Sequence, residues 1–352
     1  MEVKRIQYSI RSVLDLTFSP KDTGAVGIDI GHEEHTFTPA MKGMPRGREN
    51  TDMTIGNLGI FMEYSHDLTE RSRLLSGLRW DRVTSHYHRY MTFTPGDTTD
   101  NAVSGFVRWE NTAKKQPLTF YVGLGHAERP ADYWEAYHTW NVHHNLSTRP
   151  KKERNTQLDL GWVYTGEKTN ANLSLYYANV NDFILRKPVG GYGNVDARLY
   201  GFEAEVTRTV SPLWTLGASL AYTRGDDRTN DAPLPQIAPL EANLTAKYSH
   251  KKAEANAVWR LVSKQNRYHK GYGSVTGTDY GPTGGFGTLG LSIAYRPDEN
   301  LTFSLGVDNL FNKTYAEFVN YSEAAIVGLG IPAGGHISEP GRTLWFRSNY
   351  RF

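Results

Sequence analysis

The chain has 352 residues, with 39 Lys and Arg against 37 Asp and Glu, and this near-balance leaves no basic footprint for nucleic acid. Cysteine is absent, which excludes disulfide frameworks and Cys-ligated zinc sites. No apolar run is long enough for a transmembrane helix, but a barrel strand of about 9–11 residues crosses a membrane with apolar side chains on alternate positions only.

The opening MEVKRIQYSIRSV is basic but has no apolar core or small-residue cleavage site, so an exported chain is expected to take its signal from upstream. From there, period-two alternation recurs along the chain. Leu158, Leu160, Trp162 and Tyr164 alternate with Asp159, Gly161, Val163 and Thr165. Leu289, Leu291, Ile293 and Tyr295 stand against Gly290, Ser292, Ala294 and Arg296. Leu301, Phe303, Leu305 and Val307 follow the same rule. In the last segment Leu344, Phe346, Tyr350 and Phe352 take one face, and Trp345, Arg347, Asn349 and Arg351 the other. Each segment is a ribbon with one apolar and one polar side.

The pattern yields roughly fifteen strands over 1–352, joined by alternately short and long connections. The short ones are Ser19–Gly24, Thr69–Ser72, Thr112–Pro117, Thr165–Asn170, Ser211–Leu213 and Arg296–Asn300. The long ones are Thr38–Thr54, Arg89–Asn101, Arg129–Lys152, Gly225–Pro239, His269–Gly285 and Tyr315–Gly341. Short turns on one rim and long loops on the other predict an all-β, antiparallel transmembrane β-barrel. A soluble sandwich or propeller also alternates, but gives no such parity. Tyr and Trp near strand ends, such as Tyr64, Trp80, Tyr164 and Tyr222, suit interfacial girdles.

Leu305–Tyr315 (LGVDNLFNKTY) and Glu339–Phe352 (EPGRTLWFRSNYRF) together resemble the C-terminal signature of TonB-dependent outer-membrane receptors. Glu128–Glu135 (ERPADYWE), Lys152–Trp162, Asn181–Leu185, Ala197–Glu203, Ala221–Arg228 and Leu234–Leu240 resemble, in order, segments of the copper-receptor branch. One departure is Phe318, where many receptors carry His. The resemblance implies a roughly 22-stranded receptor barrel filled by an N-terminal plug. No plug is recognisable here, so the chain is expected to be the C-terminal portion of such a barrel. The resemblance also implies a cell outer-membrane location among lipid, with TonB reached only through that plug.

Soft sulfur favours Cu(I) and imidazole binds either oxidation state of copper, so Met and His clusters are the candidate metal ligands. His35, Met41 and Met44 form the first, in a loop expected to hold Met53 as well and close to His32. His86, His88 and Met91 form the second, and His138, His143 and His144 a third. No tightly bound cofactor is expected; copper would be a transported ion. The expected function is a receptor-transporter for copper or a copper complex. A ferric-siderophore receptor is the first alternative, with Tyr133, Trp134, Tyr137, Trp140 and Arg149 suited to a bulky anionic chelate. A passive porin-like barrel is the second. No nucleophile elbow, HExxH helix or Walker loop supports an enzyme.

Overall fold

The computed structural model describes residues 2–38, 50–88, 96–136, 149–189, 191–322 and 335–351. Ten long strands come first: β1 (Glu2–Ser19), β2 (Asp22–Thr38), β3 (Asn50–Thr69), β4 (Ser72–Tyr87), β5 (Gly96–Thr112), β6 (Leu118–Arg129), β7 (Glu153–Thr165), β8 (Thr169–Arg186), β9 (Tyr192–Thr209) and β10 (Trp214–Asp227). Then come β11 (Ala232–Pro233), β12 (Glu241–His250), β13 (Ala253–Val262), β14 (Gly273–Ser274) and β15 (Gly277–Thr278). The last are β16 (Phe286–Tyr295), β17 (Leu301–Asp308), β18 (Ala316–Ser322), β19 (Gly335–Ser338) and β20 (Thr343–Tyr350).

Strands β1 to β10 pair antiparallel in sequence order, and the wall continues through β12, β13, β16, β17 and β20. The five short strands lie in the long connections. Among the described residues β1 pairs only with β2, and β20 only with β17, so the sheet is open.

Alternation builds this wall. On β1, Tyr8, Ile10, Leu14 and Phe18 stand exposed on one face, while Gln7, Ser9, Arg11 and Asp15 take the other. The apolar face continues through Val26, Ile28 and Ile30, then Leu58, Ile60 and Met62, and ends on Leu344 and Phe346. In water such a surface would be costly; against lipid tails it is the face that a barrel requires. The opposite, lumenal face carries polar groups that satisfy one another. Arg11 grips the Asp29 carboxylate at 2.6 and 2.9 Å, and Arg79 bridges Asp29 at 2.5 Å and Asp81 at 2.6 and 2.7 Å.

Rim parity holds with one exception. The connection at 187–191, between β8 and β9, is short although it lies on the long-loop rim. Here the two strands themselves extend to 18 residues each, so the hairpin, not a loop, projects from the rim. Two loop boundaries also move. Met53 and Gly96–Asn101, expected in loops, belong to β3 and β5, because strand pairing continues past the last clean alternation.

The signature segments meet near the chain's end. Asn309, at φ 49°, accepts from the Lys313 amide and donates to the Lys313 carbonyl, both at 2.8 Å, and its side chain also reaches the Pro340 carbonyl at 3.4 Å. Asn312 accepts from the Arg342 amide at 2.9 Å. The two asparagines thus staple the end of β17 to the entry of β20, and an amide side chain tolerates the left-handed backbone that this needs. Phe318, at the departure from the family pattern, is buried in β18.

Candidate functional site

The segment ERPADYWE builds the site from the loop side. Strand β6 ends at Arg129, and Pro130 stops the ladder. Asp132 then caps a helical turn at 133–136: its carboxylate accepts from the Glu135 amide at 2.8 Å, while Glu135 accepts from the Asp132 amide at 2.9 Å. This reciprocal capping satisfies two amides that would otherwise lack partners. Arg129 holds the buried Glu135 in a fork at 2.7 and 3.1 Å and also binds Glu153.

The turn aims Tyr133 at the wall formed by β2, β3 and β4. Its ring stacks on His35 with centroids 3.7 Å apart and planes within 7°. Its hydroxyl donates to Asp52 Oδ2 at 2.6 Å. Around it Met53, Tyr87, Ala131, Ala136, Ile184 and Tyr192 form a buried apolar cluster, so the turn joins β3 and β4 to β8 and β9. His35 and Met53 face each other across the β2–β3 ladder, on the lumenal side with Asp29 and Glu33. The register shifts beside them, which gives Asp52 its place in the fold as the extra residue of a bulge.

Three features make this cluster the candidate site. His35 Nε2 is engaged by Glu33, but the buried Nδ1 has no hydrogen-bond partner among the described residues. Asp52 is fully buried and its Oδ1 is likewise unmatched. Burial raises the Asp52 carboxyl above its ordinary range, with the Tyr133 hydrogen bond pulling the other way. Beside them lies the Met53 side chain, fully out of solvent.

The structure therefore brings His35 to Met53, and not, as a loop cluster, to Met41 and Met44, which lie outside the described residues. His32 points to the opposite face of β2. His86 and His88 do come together, with ring centroids 4.4 Å apart, edge to face. His86 pairs with Asp97, and His88 lies 3.4 Å from the Thr54 hydroxyl. Met91, His138, His143 and His144 lie outside the described residues, as do Tyr137 and Trp140. Trp134 is exposed, and Arg149 is tied to Asp100. Among the described residues no three His, Asp or Glu converge as a ready metal cage. Sequence reasoning missed Asp52 and the anchoring role of Tyr133. The D-x-x-E spacing of Asp132 and Glu135 was the available signal for the turn.

The family model described as "TonB dependent receptor-like, beta-barrel" matches residues 7–310. The chain belongs to the TonB-dependent receptors. These are outer-membrane barrels and not enzymes. Among solved structures, the "Copper transporter OprC" superposes with a TM-score of 0.91 at 35% identity, over 99% of this chain and 56% of that one. The ferric-catecholate import receptor Fiu from Escherichia coli K12 superposes at a TM-score of 0.74 with 14% identity, over 99% of this chain and 55% of that one. Among curated proteins, the catecholate siderophore receptor Fiu of E. coli strain UTI89 is 20% identical over 84% of this chain and 42% of its own length. The chain thus spans about half the length of the TonB-dependent receptors it matches.

Proposed function

We propose that this chain is the barrel portion of a receptor that imports copper, as the free ion or a small complex, with energy delivered through TonB. The observation that carries the reading is the 35% identity to the copper transporter OprC across nearly the whole chain, where the ferric receptors share 12–18%. Site chemistry supports it. A buried imidazole nitrogen without a partner, opposite a buried thioether on the lumenal wall, is a soft-donor pair suited to Cu(I). His35 and Met53 would be the wall's contribution, with further donors from Met41 and Met44 or from elsewhere in the receptor. His86 and His88, whose rings meet, would form a second copper contact, with Met91 as a further donor.

The test uses the complete receptor gene in a strain lacking it. Cellular copper is measured with and without TonB, together with Cu(I) competition titrations of the purified protein. His35→Ala and Met53→Leu are expected to weaken Cu(I) binding by roughly tenfold or more each, the scale of losing one good ligand contact. Copper accumulation that ignores both TonB and the receptor would sink the reading. Growth rescue by a ferric catecholate instead would favour the siderophore alternative, to which the curated relatives point.

A further inference from the structure

On β9 and β10 the apolar, lipid-facing side runs through Val206, Leu216 and Leu220. Towards the short-turn rim it ends in the pair Trp214–Tyr248, with ring centroids 5.1 Å apart. Towards the long-loop rim it ends in Phe202–Tyr222 and Tyr177–Tyr200, at 5.9 and 6.3 Å. Trp214 and Tyr222 are eight residues apart on one strand. At about 3.3 Å per residue this tilted stretch crosses most of an apolar band ~25 Å tall. These two aromatic sets therefore mark the two membrane interfaces.

Directly above the upper set, on the same outward face, the side chains change character. Arg198 and Arg224 flank Asp226, and Arg267 reaches it from the connection after β13. Arg198 donates to Asp226 at 3.0 Å and Arg267 at 2.6 Å, while Arg224 Nε lies 3.6 Å away. One carboxylate thus faces three guanidinium groups. The Nε atoms of Arg198 and Arg224 are shut off from solvent, with no hydrogen-bond acceptor among the described residues. A cavity of about 460 Å³ opens here, lined also by Tyr200, Arg228, Asp227 and Asp231. Both Asp227 oxygens accept from the turn at Thr229 and Asn230, so this carboxylate forms no ion pair with the three arginines.

We propose that Arg198, Arg224 and Arg267 clamp the phosphate of an outer-leaflet lipid headgroup. Guanidinium forks match phosphate oxygens in shape and charge, and the Nε donors of Arg198 and Arg224 have no hydrogen-bond acceptor among the described residues. Position selects the lipid as the source of that phosphate. The cluster sits on the lipid side of the wall, at headgroup height, where a phosphorylated lipid presents its oxygens while its chains lie against Leu216 and Leu220.

The purified receptor, in its complete gene-encoded form, is titrated with bis-phosphorylated lipid A and read by native mass spectrometry. Retention of a lipid A molecule is expected, and the double variant Arg198→Gln/Arg224→Gln should weaken it about tenfold or more, as for loss of charge-assisted pairs. Inorganic phosphate should not displace it. Asp226→Asn separates a clamp from a brace: removing the competing carboxylate should strengthen lipid A retention. Unchanged retention in the arginine double variant would overturn the proposal. So would displacement by inorganic phosphate alone, which marks a free-anion site, or an Asp226→Asn protein that loses both lipid and thermal stability. The copper reading plays no part in this inference, so either can fail without the other.

Discussion

Burial pushes the Asp52 carboxyl above the usual carboxylate range, and the Tyr133 hydroxyl counters this only in part. Because the folded pKa then exceeds the unfolded one, the folded protein holds the proton longer. The associated stability is present below the ordinary Asp value of about 3.9 and is lost as pH rises through the folded pKa. Asp52→Asn should remove that loss, which melting curves across this pH range in detergent would reveal as a flatter profile. Tyr133→Phe leaves Asp52 buried with a partner removed, and should lower stability by ~1–3 kcal/mol. Asp22, at the first short turn, behaves in the opposite sense. Hydrogen bonds from Ser19, Tyr64 and His66 hold its pKa down to about 2, so its contribution is present above the ordinary value and lost as pH falls towards 2. Asp22→Asn should abolish that acid limb in the same melting experiment. At this scale the sequence pointed to His35 as a ligand, but it could not show that Met53 stands opposite. That pairing follows from the β2–β3 register, which the long connection between the two strands does not fix.

Individual strands were the most readable level, because a face buried against lipid enforces alternation residue by residue. What alternation did not reveal is how rings fill the wall. Trp345 lies across Gly306 on the neighbouring strand, where an added Cβ would come within 2.3 Å of the indole. Tyr121 covers Gly161 in the same way, at 2.2 Å. A ring folded over a cross-strand glycine closes the gap that the missing side chain leaves. Gly306→Val would force the indole out of its place, at a cost on the order of 1–3 kcal/mol. Trp fluorescence and thermal melting of this variant would check it, with an unchanged emission spectrum counting against the packing described. The 187–191 hairpin departs from the rim pattern for a related reason: strand length can replace loop length, and only pairing shows which has happened.

For the whole molecule, the open sheet is the governing fact. Strands β1 and β20 both run towards the short-turn rim, and each leaves one edge of its backbone unpaired among the described residues. Two edges that run the same way cannot join as an antiparallel seam, so regular closure takes an odd number of further strands. The 352-residue chain refolded by itself in detergent should therefore not acquire the compact, heat-modifiable electrophoretic mobility of a closed barrel. Supplying the neighbouring strands in trans should restore it. A heat-modifiable monomer of the chain alone would show that β1 and β20 close after all. Barrel class and rim asymmetry were legible because each strand repeats them. The cargo was not, because metal donors gather from distant segments that only the fold brings together.

The Tyr133 anchor sets a timescale for one part of the rim. Exposed loops sample their positions in nanoseconds to microseconds, but the 133–136 turn can leave its seat only by uncovering Met53, Tyr87 and Ile184 together and breaking the bond to Asp52. Its departure is an activated, cooperative opening. A ligand entering from outside therefore meets a standing wall at His35, and any gate must be built from other segments of the rim.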